Sequence, residues 1–202
     1  MDIGREIRAY TIEPIRLAGA REASGRAVMG PAPDYASPVS GWRAWRVDDS
    51  GRAARLRGVV RPTAWPVGEP MIAECPWGSV AHHPPGPGCR CGIHAARDVA
   101  GAALHAELPS RAREPLAVGL AALWGRVVEG KRGWRASAAY PEALYLPMRR
   151  RGDRALCERL AWDLSAYGAT IEIVDCTEVE VAQALRAAGA RAPGPLRQPI
   201  AA

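Results

Sequence analysis

The chain predicts an α+β fold, a mainly antiparallel sheet with helices packed on it. Three observations carry that reading. The run GWRAWRV from Gly41 alternates apolar and basic residues with one irregular step, close to the period of a half-buried strand. Two apolar runs, AVGLAALWGRVVEG and GWRASAAY, flank the turn Gly130-Lys131-Arg132-Gly133 and read as a β-hairpin. Leu156, Leu160 and Leu164 then recur at four-residue spacing, which lines up one helix face.

Residues 1–40 read as an N-terminal extension and linker. Ile3, Ile7, Tyr10 and Ile12 share a weak helix face until Pro14 interrupts it. The segment GPAPDYASP, Gly30 to Pro38, reads as extended. A single α+β domain is expected over residues 41–189. Its first strand turns back at Ser50-Gly51, behind two aspartates, and RLRGVV returns as a second strand. Pro62, Pro66 and Pro70 make the next stretch irregular. A helix is expected from about Ala95 to Leu108, the hairpin from near Leu116, and a short strand at LYL, residues 144–146. Asp153 is placed to cap a helix running to about Tyr167, which Gly168 stops. TIEIV is a β-branched strand. Thr177 and Glu180 spell the capping box T-x-x-E and open a helix ending at Gly189. Residues 190–202, rich in Pro and Ala, are expected to be a disordered tail.

The chain has 202 residues, a net charge of +6, no Phe and a single lysine, Lys131. Nearly half is apolar, enough for a real core. Arginine carries almost all the positive charge, and that balance permits a nucleic-acid or anionic partner. No 18-residue apolar stretch and no apolar leader is present, so no membrane span is expected and the cytoplasm is the default location. There is no Walker loop, dinucleotide glycine fingerprint, G-x-S-x-G elbow or H-E-x-x-H.

One block stands apart from this background. ECPWGSVAHHPPGPGCRCGIHA places Cys75, His82, Cys89 and Cys91 at C-x6-H-x6-C-x-C. Three soft sulfurs and one imidazole are the complement that closes a tetrahedral zinc site. The C-x-C pair is tighter than the usual C-x2-C arm and converges only if the backbone turns at Arg90. Gly92 tolerates the positive φ such a turn needs and lets an N–H point back at a thiolate. Pro76, Pro84, Pro85 and Pro87 stiffen the loop. His82 gives equal spacers; His83 stays an alternative, and His94 is a weaker one. A local Cys3His set favours structural zinc over an iron–sulfur cluster. Cys75-Pro76 alone is a poor haem signal, and a Cys89–Cys91 disulfide would close too tight a ring. The competing reading leaves these as reduced thiols and surface histidines.

Cys157 reads as core packing. Cys176, just before the expected cap at Thr177, is either packing or a thiol activated by a helix N-terminus. Trp42, Trp45, Trp124 and Trp134 lie on expected strands near Arg43, Arg46, Arg126, Arg132 and Arg135. They either replace phenylalanine as core filler or form a Trp/Arg face for single-stranded nucleic acid.

At H-H-P-P-G-P-G-C-R-C-G-I-H-A the chain resembles a group of proteins from GC-rich bacteria. They carry an H-x-x-P…C-x-C-G-I-Y-A block, a strand similar to LWGRVVEG and a segment similar to GWRASAAYPEALYL. The resemblance covers roughly residues 41–170, implies His82 over His83, and puts His94 at the group's Tyr. It implies an architecture and no activity. Three functional readings remain. One is a non-enzymatic zinc-stabilised binding or regulatory module with a protein or nucleic-acid partner. Another is a metalloenzyme or redox-active thiol protein with an open metal position. The last is a nucleic-acid binder using the basic Trp/Arg face.

Overall fold

A computed structural model describes residues 9–12, 38–76, 82–86, 88–107 and 115–189. In chain order the strands are β1 (Ala9–Ile12), β2 (Val39–Asp48), β3 (Arg55–Gly58), β4 (Met71–Ile72), β5 (Ile93–Ala96), β6 (Leu116–Gly130), β7 (Gly133–Met148) and β8 (Thr170–Asp175). The helices are α1 (Val99–Glu107), α2 (Arg154–Leu164) and α3 (Val181–Gly189). All eight strands join one sheet, antiparallel except where β8 runs parallel to β7.

The expected hairpin forms and is longer than its sequence signal. β7 runs without a break from Gly133 through Leu144-Tyr145-Leu146, so LYL continues this strand instead of forming one of its own. β6 lies along one side of β7, from Gly130↔Gly133 to Val118↔Tyr145. The opposite side takes three partners in succession: β5 at residues 133–136, β4 at 138–139 and β8 at 143–148. β6 in turn pairs with β2 and β1. β2 also meets β5, through Trp42↔Ala96, so β2, β6, β7 and β5 close into a ring.

Closure brings backbones very near each other at one corner. Gly133 sits at φ +154°, and a Cβ there would lie 2.0 Å from the Ala95 carbonyl oxygen. A β-bulge between Trp124 and Val127, with Gly125 at φ +71°, bends β6 towards the same corner.

Alternation along the strands feeds two cores. Trp45, Val47, Leu144 and Leu146 pack with Leu160, Leu164 and Tyr167 at α2. Ala44, Val118 and Tyr145 pack instead with Val99, Ala103, Leu185 and Ala188 from α1 and α3. The Tyr167 hydroxyl donates to the Trp65 carbonyl at 2.8 Å and accepts from the Leu56 N–H, tying α2's end to the sheet. No helix among the described residues is long and apolar enough to cross a membrane.

Several local expectations change. Residues 9–12, part of the expected helix face, form β1 because an edge of β6 is available to pair with them. Ala95 and Ala96 belong to β5, and the helix starts only at Val99. Asp153 ends a short 3-10 turn and makes no side-chain cap bond. Thr177 does not cap α3: its hydroxyl donates to Asp175 Oδ1 at 2.7 Å, and the helix begins later, at Val181. Gly168 does end its helix, at φ +68°. The expected linker from Gly30 and the tail 190–202 lie outside the described residues.

Gly133→Ala should destabilise the protein by roughly 2–3 kcal/mol, because the added methyl meets backbone on a path that cannot yield. A melting-temperature loss of about 5–10 °C is expected for a domain of this size. An unchanged melting temperature would contradict the close approach of β5 and β7.

Candidate metal centre

The loop between β4 and β5 carries the Cys/His block. Both ends are fixed on one side of β7. At the entry, the Ala73 N–H donates to the Ser137 carbonyl at 2.8 Å, just before Cys75. At the exit, Cys91 precedes Ile93, which pairs with Ala136. The two anchor points on β7 are therefore adjacent, and the intervening chain must fold back on itself.

It does so around one point. The ligand atoms of Cys75, His82, Cys89 and Cys91 all lie within 4.8 Å of one another. The Cys75 and Cys89 sulfurs are 3.8 Å apart. Two thiolates on one tetrahedral zinc, with Zn–S near 2.3 Å, stand about 3.8 Å apart. His82 Nε2 lies 3.1 Å from Cys91 Sγ, inside the roughly 3.6 Å expected between nitrogen and sulfur on one zinc. Small side-chain movements therefore suffice to admit an ion. Cys91 is buried and the other three are half-buried.

Local backbone explains the convergence. Gly86 lies flat against the His82 ring; a Cβ there would fall 2.4 Å from its Cδ2. The Gly86 N–H donates to Cys91 Sγ at 3.4 Å, and Pro85 behind it is fully buried. Gly92 adopts φ +115°, as the C-x-C-G turn requires, although the N–H groups aimed at the thiols come from Gly86, onto Cys91, and from Cys91, onto Cys89, and not from Gly92. Across the loop, the Arg135 guanidinium donates to the Cys89 carbonyl and, at 3.0 Å, to the Cys91 carbonyl.

Electrostatics separate the two thiols of the C-x-C pair. The Cys91 N–H, hydrogen-bonded to Cys89, draws the Cys89 thiol down to about 7 against the cost of burial, with lesser help from Cys91, Cys75 and His82. Burial pushes the Cys91 thiol up, against the pull of the Gly86 N–H. A cation at the centre would favour the thiolate form of all three.

Other candidates stand apart. His83 and His94 are exposed and outside the cluster. His94 Nε2 donates to the Arg90 carbonyl at 2.9 Å, and burial among Arg43 and Arg135 pushes its pKa down. Cys157 and Cys176 are buried free thiols. Burial first, then the Asp175 charge, raises Cys176 to about 11, and α3 begins too late to activate it. Trp45 is sealed in the core, edge-on to Trp65, and Trp124 and Trp134 pack against the same core. Trp42 stacks on Tyr145. Trp45 fills core space that phenylalanine would otherwise occupy, while Trp42, Trp124 and Trp134 are only half-buried.

Sequence reasoning missed Arg135 and Gly86. Arg135 is remote in sequence, and only its strand register to β5 brings it to the loop. Gly86 sat in a run already read as stiffening prolines. No protein-family model matches the chain, and neither a curated protein nor a solved structure does.

Alkylation of metal-stripped protein at pH 7.5 should discriminate the thiols. With its thiol drawn down to about 7, Cys89 carries more thiolate there than an ordinary cysteine, while Cys176, pushed up to about 11 by burial, stays protonated and shielded. Peptide mapping should find Cys89 modified first and Cys157 and Cys176 unmodified until the fold is opened. Early labelling of Cys176 would contradict its burial.

Proposed function

We propose that the protein is a non-enzymatic binding or regulatory module whose loop is held by one structural zinc ion on Cys75, His82, Cys89 and Cys91. The convergence of these four ligand atoms within 4.8 Å carries the reading. A single ion fits that spacing; a multi-iron cluster spreads its sulfurs farther. The donor set is three thiolates and an imidazole, the soft and borderline complement that zinc accepts in closed structural sites.

The alternative, a metalloenzyme with an open position, asks for three protein ligands, a place for water or substrate, and a nearby general base. Here four protein donors complete the shell, and among the described residues no carboxylate joins the group. Arg135, the nearest charged partner of the loop, holds its carbonyls and is no proton acceptor. Zinc bound here would supply folding free energy directly, since the loop has little apolar packing of its own and the site exists only in the folded chain.

Elemental analysis of protein purified without a His tag should find about one zinc per chain. Cys89→Ser should lower metal content and melting temperature together, and a chelator should reproduce the thermal loss in the parent protein. Full metal content in Cys89→Ser would remove Cys89 from the site. A metal-free parent with an unchanged melting temperature would remove the zinc.

A further inference from the structure

Beside the metal loop lies an open cleft of about 1250 Å³, beyond the 300–1,000 Å³ common for small-molecule pockets. β2 and β5 line it together with both ends of the metal loop, residues 59–61 after β3, α1 and the β6–β7 turn. Its lining sets seven arginine and lysine side chains against two carboxylates, Glu74 and Glu129. Glu129 is already committed to Arg97 at 2.7 Å. Arg90, Lys131 and Arg132 are exposed and make no ion pair with any described residue.

The cleft has a second character besides charge. The Arg97 guanidinium lies 4.8 Å over the Trp134 ring, a flat cationic stack, and Trp42 contributes a half-buried indole. Val60 and Leu104 stand out into the cleft, 78% and 63% exposed. Arg43 also lines the cleft, but its Nε is sealed from solvent, its Nη1 donates to the His94 carbonyl and its guanidinium lies over the Trp65 ring, so it adds positive charge and no free donor.

We propose that this cleft binds single-stranded nucleic acid, with Arg90, Lys131 and Arg132 on the phosphates and the planar and apolar surfaces against unpaired bases. Unmatched positive charge selects a polyanion. A duplex turns its bases inward and would use only the charges. An acidic peptide anchors by inserting apolar side chains into recesses, whereas here the apolar side chains themselves protrude. Guanidinium and indole planes are the surfaces on which splayed bases stack. The proposal rests on the zinc-module reading in one respect: Arg90, which lines the cleft, stands between Cys89 and Cys91, and a metal held by those two cysteines would fix it there.

The test is fluorescence anisotropy of the full chain with a labelled oligothymidylate of about 15 nucleotides, titrated from about 50 mM salt upwards. A duplex of equal length and polyglutamate serve as competitors. The parent should bind the single strand in preference to both, with affinity falling steeply as salt rises. The double variant Arg90→Glu/Arg132→Glu should bind at least about tenfold more weakly, with a salt slope shallower by about 1.4. Its melting temperature and metal content should match the parent. Absence of binding, equal binding by the double variant, or displacement by the duplex or polyglutamate at no higher concentration would overturn the proposal. A parent that holds no metal yet binds through Arg90 and Arg132 upholds the cleft and overturns the zinc. A metal-loaded parent that ignores the strand overturns the cleft alone.

Discussion

β7 is the constraint on which the remaining structure depends. Its sixteen residues are paired along one side by β6, and on the other side they receive β5, β4 and β8 end to end. Because β4 and β5 dock on neighbouring stretches of the same strand, the loop between them has its ends fixed before any ligand binds. Loop-closure entropy, which a flexible chain would spend to bring Cys75 near Cys91, is thereby met by the sheet. The Cys/His cluster is in this sense an outgrowth of strand pairing. Weakening the corner at Gly133 should loosen the loop even though no ligand is touched.

The same geometry explains which parts of the chain were legible in sequence. The hairpin was legible because Gly130 and Gly133 bracket a turn between two apolar runs, a local signal that needs no partner. The Leu156 helix was legible for a similar reason: its spacing is intrinsic, and Leu160 and Leu164 do reach the core. β5 was not legible. His94-Ala95-Ala96 carries no strand propensity, and alanine favours helix. It is a strand because it fits a narrow slot on β7, with Ile93 opposite Ala136 and Ala96 opposite Gly133. β1 was misread for the converse reason, since a spacing of apolar groups at helical intervals says nothing about a vacant sheet edge far along the chain, where Ala9 pairs with Val128. Strand identity in such segments is a tertiary property.

The Cys/His block was legible as a ligand set, and Cys75, His82, Cys89 and Cys91 do meet. Its spacing gave the donors, but the supporting residues were hidden. Gly86 holds the imidazole by being small, and nothing in P-P-G-P-G singles it out from Gly88. Thr177 shows the opposite failure. The T-x-x-E pattern was present, yet the Asp175 carboxylate, two residues earlier, took both the Thr177 N–H and its hydroxyl. A short-range competitor outranked the cap.

Arg135 joins these threads through charge. Three thiolates and one neutral imidazole around a bound dication would leave a net charge of about −1. Arg135 brings a guanidinium from β7 to the carbonyls of both C-x-C cysteines, offsetting that charge while bracing the turn. Both bonds leave one nitrogen, Nη1, so a single guanidinium donor group braces the two carbonyls at once. The compensation also reaches the neighbouring cleft. A bare anionic centre at its wall would repel phosphates, whereas one neutralised by Arg135 leaves Arg90 and the turn cations to set the local field. The position of a single arginine, fixed by its pairing with His94 across the β5–β7 ladder, would thus let the proposed metal centre and the proposed polyanion site share one surface.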